Sequence, residues 1–443
     1  MPKANKTDEK EEKVRKIKSP SLLKGFRDIL PEDQPYWDAI FDAARKISTD
    51  YSYGRLRLPI LETTSLFERS VGKGSDIVEK EMFSFIDQGE AKVTMRPEAT
   101  AQVVRAYIEH GMINLPQPVK MWYFGPMFRY ERPQKGRYRQ FHQFGLEVIG
   151  SDEPIIDAQV IIMTVKLMEE LGLDVKVRVN SIGTLDIRRE YIMELVSYFK
   201  QFRSQLSDVD KKRLQKNPLR LLDSKEEGMD ALKVDAPQIV DHLDEDSKQH
   251  FMKLLEYLGE MEIPYELDPF LVRGLDYYGR TVFEIVLAED ENESAMNALG
   301  GGGRYDDLIH VLGGREETQG AMGVAVGIER IVNAMKEKKI EPKNQRQVDV
   351  FFCQLGEAAR RSGLRVFEEF REAGVRTAEA FGKGSLKAQL EAADKMEVKI
   401  ALILGQKEVL DGTIIIRDMD SGGQEIVDMT KVVGLVKKTL KGK

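Results

Sequence analysis

The stretch FRYERPQKGRYRQFHQFGLE, residues 128–147, limits the fold more than any other part of the chain. Side chains on a strand alternate between its two faces. Phe141, Gln143, Gly145 and Glu147 therefore share one face, and so do Arg129 and Glu131 on the preceding segment. Pro133 and Gly136 between them are turn residues. The pattern predicts a long hairpin whose one face carries charged and amide side chains and whose tip is basic.

At 443 residues the chain has room for two or three domains, each with its own core. No run of about 18 apolar residues occurs, which excludes a transmembrane helix from the expectations. The opening MPKANKTDEKEEKVRKIKSP lacks the apolar stretch of a secretory signal and mixes acids with its lysines, unlike a transit peptide. Residues 1–18 read as a solvated tail. Cys353 is the single cysteine, so neither an intramolecular disulfide nor a cysteine zinc site is expected, and the protein is expected in the cytoplasm. The formal charge is −7, yet three segments are basic. Residues 120–140 carry six Lys/Arg against one acid, 200–225 carry eight against three, and the last thirteen carry five lysines and no acid. Such islands on an acidic chain suit either solvated surface or a polyanion touched at several places.

Trp37, Ile40, Phe41, Ala44 and Ile47 follow helical spacing, with Gly54 beyond the end. RLRLPILETTSLF reads as a strand interrupted by Pro59, FSFIDQGEAKVTMRPE as a hairpin, ATAQVVRAYIEHG and 154–171 as helices, and VKVRVNSIG as a strand. From about 185 to 262 the chain becomes highly charged with helical patterning, as an inserted helical module would. FLVRGLDYYGRTVFEIVL restores the β pattern, and the glycine-rich GGGGRYDD and AMGVAVGIERIVNAMKE follow. The polar segment 337–347 reads as a linker. Residues 348–443 alternate short apolar strands with amphipathic helices at 357–373 and 385–395, the second opened by Ser385 as N-cap. That is an α/β domain of ordinary size.

GGGGRYDD has neither P-loop nor Rossmann spacing. It reads as a tight turn or as backbone approaching a ligand closely. Arg129, Arg273 and Arg330 each lie beside apolar or glycine-rich segments, where a charge that cannot be neutralised must be paired. Glu131 and Glu329 are the adjacent candidates for structural pairs; three such arginines together also suit a triphosphate. The five histidines have no ligand spacing, and His142 reads as a buried, hydrogen-bonded residue. No nucleophile motif stands out. What remains is a set of arginines, carboxylates, tyrosines and amides, suited to stabilising phosphoryl charge in place.

From about residue 20 to the C-terminus the chain resembles the histidyl-tRNA synthetases, which are class II aminoacyl-tRNA synthetases. GFRDILP with the helix and Pro59 strand resembles motif 1, FRYERPQKGRYRQFHQFGLE motif 2, and GVAVGIER motif 3; LVRGLDYYGRTVFE and GGGGRYD resemble signatures of the histidine enzymes. The resemblance implies an α+β fold: an antiparallel class II sheet flanked by helices over 19–184 and 263–336, a helical insertion at 185–262, and an α/β anticodon-binding domain at 348–443. It implies that Arg129 holds the α-phosphate of ATP, with the substrate carboxylate region, and Arg330 the γ-phosphate. Arg273 lies at the α-phosphate, and Glu131 and Phe141 hold the adenine. It places Glu98, Thr100 and Gln143 around the α-amino group of histidine, Glu147 and Tyr278 on the imidazole, and Tyr277 on the pocket wall. Arg132, Gln134 and Arg137 become candidates for the acceptor end of the tRNA. ATP with Mg2+, L-histidine and histidine tRNA are the implied ligands, without protein ligands for the metal, and a homodimer follows from motif 1. The other reading left open is a non-catalytic paralogue that senses histidine as a regulatory subunit.

Overall fold

The periodicity of the first helix is met in the computed structural model. Trp37, Ile40, Ala44 and Ile47 form the buried stripe of the helix Gln34–Asp50. The structure describes residues 19–72, 75–133, 136–288, 298–315, 317–342, 348–380 and 384–441. These fall into two units, Met1–Lys343 and Asn344–Lys443. Among the described residues no helix is long and apolar enough to cross a membrane.

The first unit is built on an eight-stranded sheet. Its strands are β1 (Gly54–Arg55), β5 (Val119–Phe128), β6 (Gln140–Ile149), β7 (Val175–Ser181), β8 (Tyr265–Leu267), β9 (Gly279–Leu287), β10 (Ala298–Arg304) and β11 (Ala321–Gly327). The spatial order is β1-β5-β6-β11-β10-β9-β7-β8. The five pairings from β5 through to β7 are antiparallel; only the short edge strands β1 and β8 pair parallel. A smaller sheet holds β2 (Leu61–Thr63), β3 (Phe83–Ile86) and β4 (Lys92–Met95).

The hairpin expected from residues 128–147 forms as β5 and β6, in the register Tyr123↔Gly145, Gly125↔Gln143 and Met121↔Glu147. Two details differ from the sequence reading. Arg129 and Glu131 lie just beyond the end of β5 rather than on it. The segment around Pro59 is not one interrupted strand: β1 and β2 belong to different sheets, and Pro59, unable to donate to a ladder, lies in the passage between them.

One face of the main sheet packs on the helices Gln34–Asp50, Pro154–Glu170, Glu245–Glu260 and Ile328–Glu337, with Phe144, Leu146, Val148, Val324 and Val326 contributed by the strands. The helix Glu245–Glu260 lies against the helix Pro154–Glu170, and its Phe251, Leu254 and Leu258 join this core. The opposite face of the sheet meets a second core, where Tyr191, Leu195, Phe199, Leu221 and Met229 of the helical stretch pack with Tyr123, Tyr277 and Tyr278. That second face carries the candidate site.

The second unit is a five-stranded sheet of β12 (Val350–Gln354), β13 (Thr377–Glu379), β14 (Ile400–Leu404), β15 (Thr413–Asp418) and β16 (Gln424–Asp428), ordered β13-β12-β14-β15-β16. Its core of Phe352, Val366, Phe370, Ile400 and Leu402 is its own. Ser385 caps the helix Leu386–Lys395 by accepting from the backbone N–H of Ala388 at 3.3 Å.

Candidate active site

Glycines create the site. At five glycines on the functional face of the main sheet, a neighbour's side chain comes too close for a Cβ. A Cβ on Gly125 would stand 2.6 Å from the Arg96 guanidinium, on Gly145 2.2 Å from the Tyr123 ring, and on Gly323 1.8 Å from a Glu147 carboxylate oxygen. On Gly301 it would meet Arg273 at 2.6 Å, and on Gly303 the Tyr278 ring at 2.9 Å. Gly300 and Gly302 would strike the backbone of β11. The run GGGG is thus not a turn. It is β10, a central strand, and a Cβ at Gly301 or Gly303 would meet the β9 backbone, at 2.6 and 2.5 Å, as well as the Arg273 or Tyr278 side chain.

Above this floor opens a cavity of about 1320 Å³. Arg129, Arg273 and Arg330, far apart in sequence, all line it. Arg129 donates through Nε to the Pro97 carbonyl at 2.8 Å, and its guanidinium stands 5.2 Å from the Phe141 ring centroid and 4.0 Å from Glu131. Arg273 Nη1 donates to Glu284 at 2.6 Å, while its buried Nε has no acceptor among the described residues. Burial acts against the Arg273 charge, but Glu284 and the two neighbouring tyrosines outweigh it and raise its pKa. Arg330 donates to the Ala298 carbonyl. Burial, then Arg137, then Arg129 lower its pKa, with Glu131 and Glu284 opposing. One wall of the cavity therefore concentrates positive charge beyond what its carboxylates balance. Glu329 also lines the cavity, but its carboxylate is engaged by His142: it accepts from the backbone N–H and bonds the ring at 2.9 Å, with Trp37 edge-on to that ring.

The other end is lined by Glu98, Thr100, Gln143, Tyr277, Tyr278 and Tyr305, with Glu147 beside them. Glu147 is 1% exposed. Its two oxygens accept from the Thr100 hydroxyl at 2.7 Å and from the Tyr305 hydroxyl at 2.6 Å. Burial still pushes its pKa up to about 8, against those two hydrogen bonds and with help from Glu98. Glu98 accepts from the backbone N–H of Ala101 at 3.1 Å, at the start of the helix Thr100–Glu109; burial raises its pKa as well. The rings of Tyr277 and Tyr278 lie 4.7 Å apart, tilted by 49°, and Tyr305 meets Tyr277 edge-on at 5.9 Å.

Every residue expected around ATP and the amino acid is thus in or against this cavity, though Thr100 and Glu147 bond each other. Of the expected acceptor-end residues, Arg137 lines the cavity, 3.6 Å from Glu131, and Arg132 is exposed at the hairpin tip. Gln134 lies outside the described residues. Sequence reasoning missed Tyr305, which ends the quoted GGGGRY run, together with Tyr123 and Glu284. It also missed Arg188, whose guanidinium holds the Tyr278 and Asp276 carbonyls from the helix Leu185–Gln201.

The family model for histidyl-tRNA synthetase matches residues 25–331, and that for an anticodon binding domain matches 347–439. The chain belongs to the histidyl-tRNA synthetase family. It is 44% identical over 403 residues to a histidine–tRNA ligase of Natranaerobius thermophilus, covering 90% of this chain and 94% of that one. A histidine–tRNA ligase of Dehalococcoides mccartyi is 43% identical over 418 residues, covering 94% and 99%. The crystal structure of apo S. aureus histidyl-tRNA synthetase superposes with a TM-score of 0.78 at 35% identity, covering 95% of this chain and all of that one. The class II fold is thereby established, together with an anticodon-binding second unit.

Proposed function

We infer that this protein is a histidine–tRNA ligase. It joins L-histidine to ATP as histidyl-adenylate, then passes the histidyl group to the 3′ end of its tRNA. The observation that carries the reading is the division of one cavity between a guanidinium wall and a buried carboxyl ringed by tyrosines. The histidine carboxylate attacks the α-phosphorus in line, the bond to the bridging oxygen breaks, and pyrophosphate leaves. A ribose hydroxyl of the tRNA then attacks the acyl carbon, and AMP leaves with the bonding electrons.

In this reading Arg129 and Arg273 neutralise charge that grows on the equatorial phosphoryl oxygens, and Arg330 holds the far phosphate. Arg273 already has an unmatched buried N–H to offer. Phe141 and Glu131 hold the adenine. Glu98, Thr100 and Gln143 surround the α-ammonium; Glu147 and Tyr278 satisfy the two imidazole nitrogens, with Tyr277 on the wall. An analogue lacking those nitrogens would leave buried groups unpaired, which permits discrimination of roughly 10⁴ without editing. Mg2+ enters as the counter-ion of the ATP phosphates and supplies charge neutralisation there. The catalytic part comprises 19–184 and 263–336 with 185–262 as its helical insertion. Arg132, Gln134 and Arg137 meet the acceptor end, and the enzyme works as a homodimer in the cytoplasm.

Purified protein is tested for histidine-dependent ATP–pyrophosphate exchange and for charging of tRNA with labelled histidine, with proline, threonine and glycine as controls. Exchange and charging with histidine alone are expected. Binding of histidine without exchange would instead fit the regulatory paralogue.

A further inference from the structure

Tyr123 reaches from β5 across Gly145 of β6. A Cβ on Gly145 would stand 2.4 Å from the tyrosine hydroxyl oxygen, so the ring can lie there only over a glycine. Gly145 lies between Gln143 and Glu147 on one face of the strand. The hydroxyl therefore emerges between the side chains assigned to the two ends of the amino acid. Glu147, Glu98 and Tyr278 are its electrostatic neighbours. Tyr123 is only 4% exposed, yet it lines the cavity, and its hydroxyl has no hydrogen-bond partner among the described residues. Buried tyrosine hydroxyls ordinarily find a partner, and an unmatched one costs free energy. Burial, with both carboxylates, holds the phenol well above its ordinary pKa, so at neutral pH it keeps its proton and can both donate and accept.

We propose that the Tyr123 hydroxyl is a substrate contact of the amino-acid pocket, whose hydrogen bonding is completed only when the amino acid is bound. The inference rests on reading the cavity as a histidine site. It makes selection depend on a residue outside the Glu147–Tyr278 pair: an amino acid that cannot meet the hydroxyl leaves it stranded.

The test is Tyr123→Phe, which deletes the unmatched oxygen and keeps the ring. The KM for histidine in pyrophosphate exchange should rise about tenfold, the loss expected for one hydrogen bond. The KM for ATP and the melting temperature of the free protein should hold, or the latter rise. An unchanged KM for histidine, measured beside a wild type that exchanges normally, overturns this inference alone. A parallel loss in melting temperature and in both KM values overturns it too, because that marks a packing role. A wild type without histidine-dependent exchange overturns the function itself, and this inference with it.

Discussion

Under the proposed function, Arg273 and Glu147 carry the sharpest expectations at the scale of single residues. Arg273 is oriented by Glu284 and keeps a buried N–H unmatched, so its charge is aimed rather than spent. Arg273→Ala should lower adenylate formation at least about 10²-fold, roughly 3 kcal/mol of transition-state stabilisation. Pyrophosphate exchange near the parent rate would remove the role given to it. Glu147 makes a prediction about pH. Its pKa in the folded protein is raised from 4.5 to about 8, chiefly by burial. The folded state therefore holds a proton that the unfolded state releases, and stability from this group is full below 4.5 and lost as pH climbs to about 8. Glu147→Gln, which cannot ionise, removes that dependence. Melting curves of wild type and variant between pH 5 and pH 9 should converge toward the acid end, with the wild type falling behind as pH rises. Parallel curves would mean that the carboxyl is already ionised at the acid end.

At the scale of elements, the hairpin was legible because strand alternation and turn residues point the same way. Its functional face needed only the period of two. The glycine run was legible only in part: close approach of its backbone to a ligand was one of its two readings, but glycine disfavours strands, and neither reading made it one. What makes it a strand is non-local: β9 and β11 flank it, and the side chains of Arg273 and Tyr278 occupy the room it leaves. The importance of Tyr305 was hidden for the same reason, because its partner Glu147 is 158 residues away. The end of β10 is fixed by a second non-local arrangement. Arg304 is fully buried and its Nε lies 2.9 Å from Asp157 of the helix Pro154–Glu170; Asp157 is also 2.8 Å from His250 of the helix Glu245–Glu260. Arg304 also bonds Asp306 and the carbonyls of Ser151 and Glu153. The pairing with Arg304, with the His250 bond, holds Asp157 below its ordinary pKa although burial opposes it. Arg304→Met should cost about 3–5 kcal/mol in urea unfolding, because it strands a buried carboxylate. A loss under about 1 kcal/mol would show that His250 satisfies Asp157 alone.

Across the whole molecule, the cavity and the match to an anticodon binding domain belong to different units. The apolar residues of the first unit pack among themselves, as Phe144, Val324 and Ile331 do around the sheet, and those of the second pack around Phe352 and Phe370. Among the described residues, each apolar cluster draws its side chains from a single unit. The cavity with its arginines and tyrosines lies wholly within the first unit. A chain ending at Lys343 should therefore fold, since a unit with its own core does not need its neighbour to bury apolar surface. It should retain histidine-dependent pyrophosphate exchange, which uses only the cavity. Charging of tRNA should fall by about 10²-fold or more, because the tRNA then loses the second of two linked contacts and the high effective concentration that linkage gives the first. Folded truncated protein that has lost exchange would place part of the adenylation machinery in the second unit. Charging at the full rate would instead mean that the anticodon-binding unit contributes nothing to capture of the tRNA.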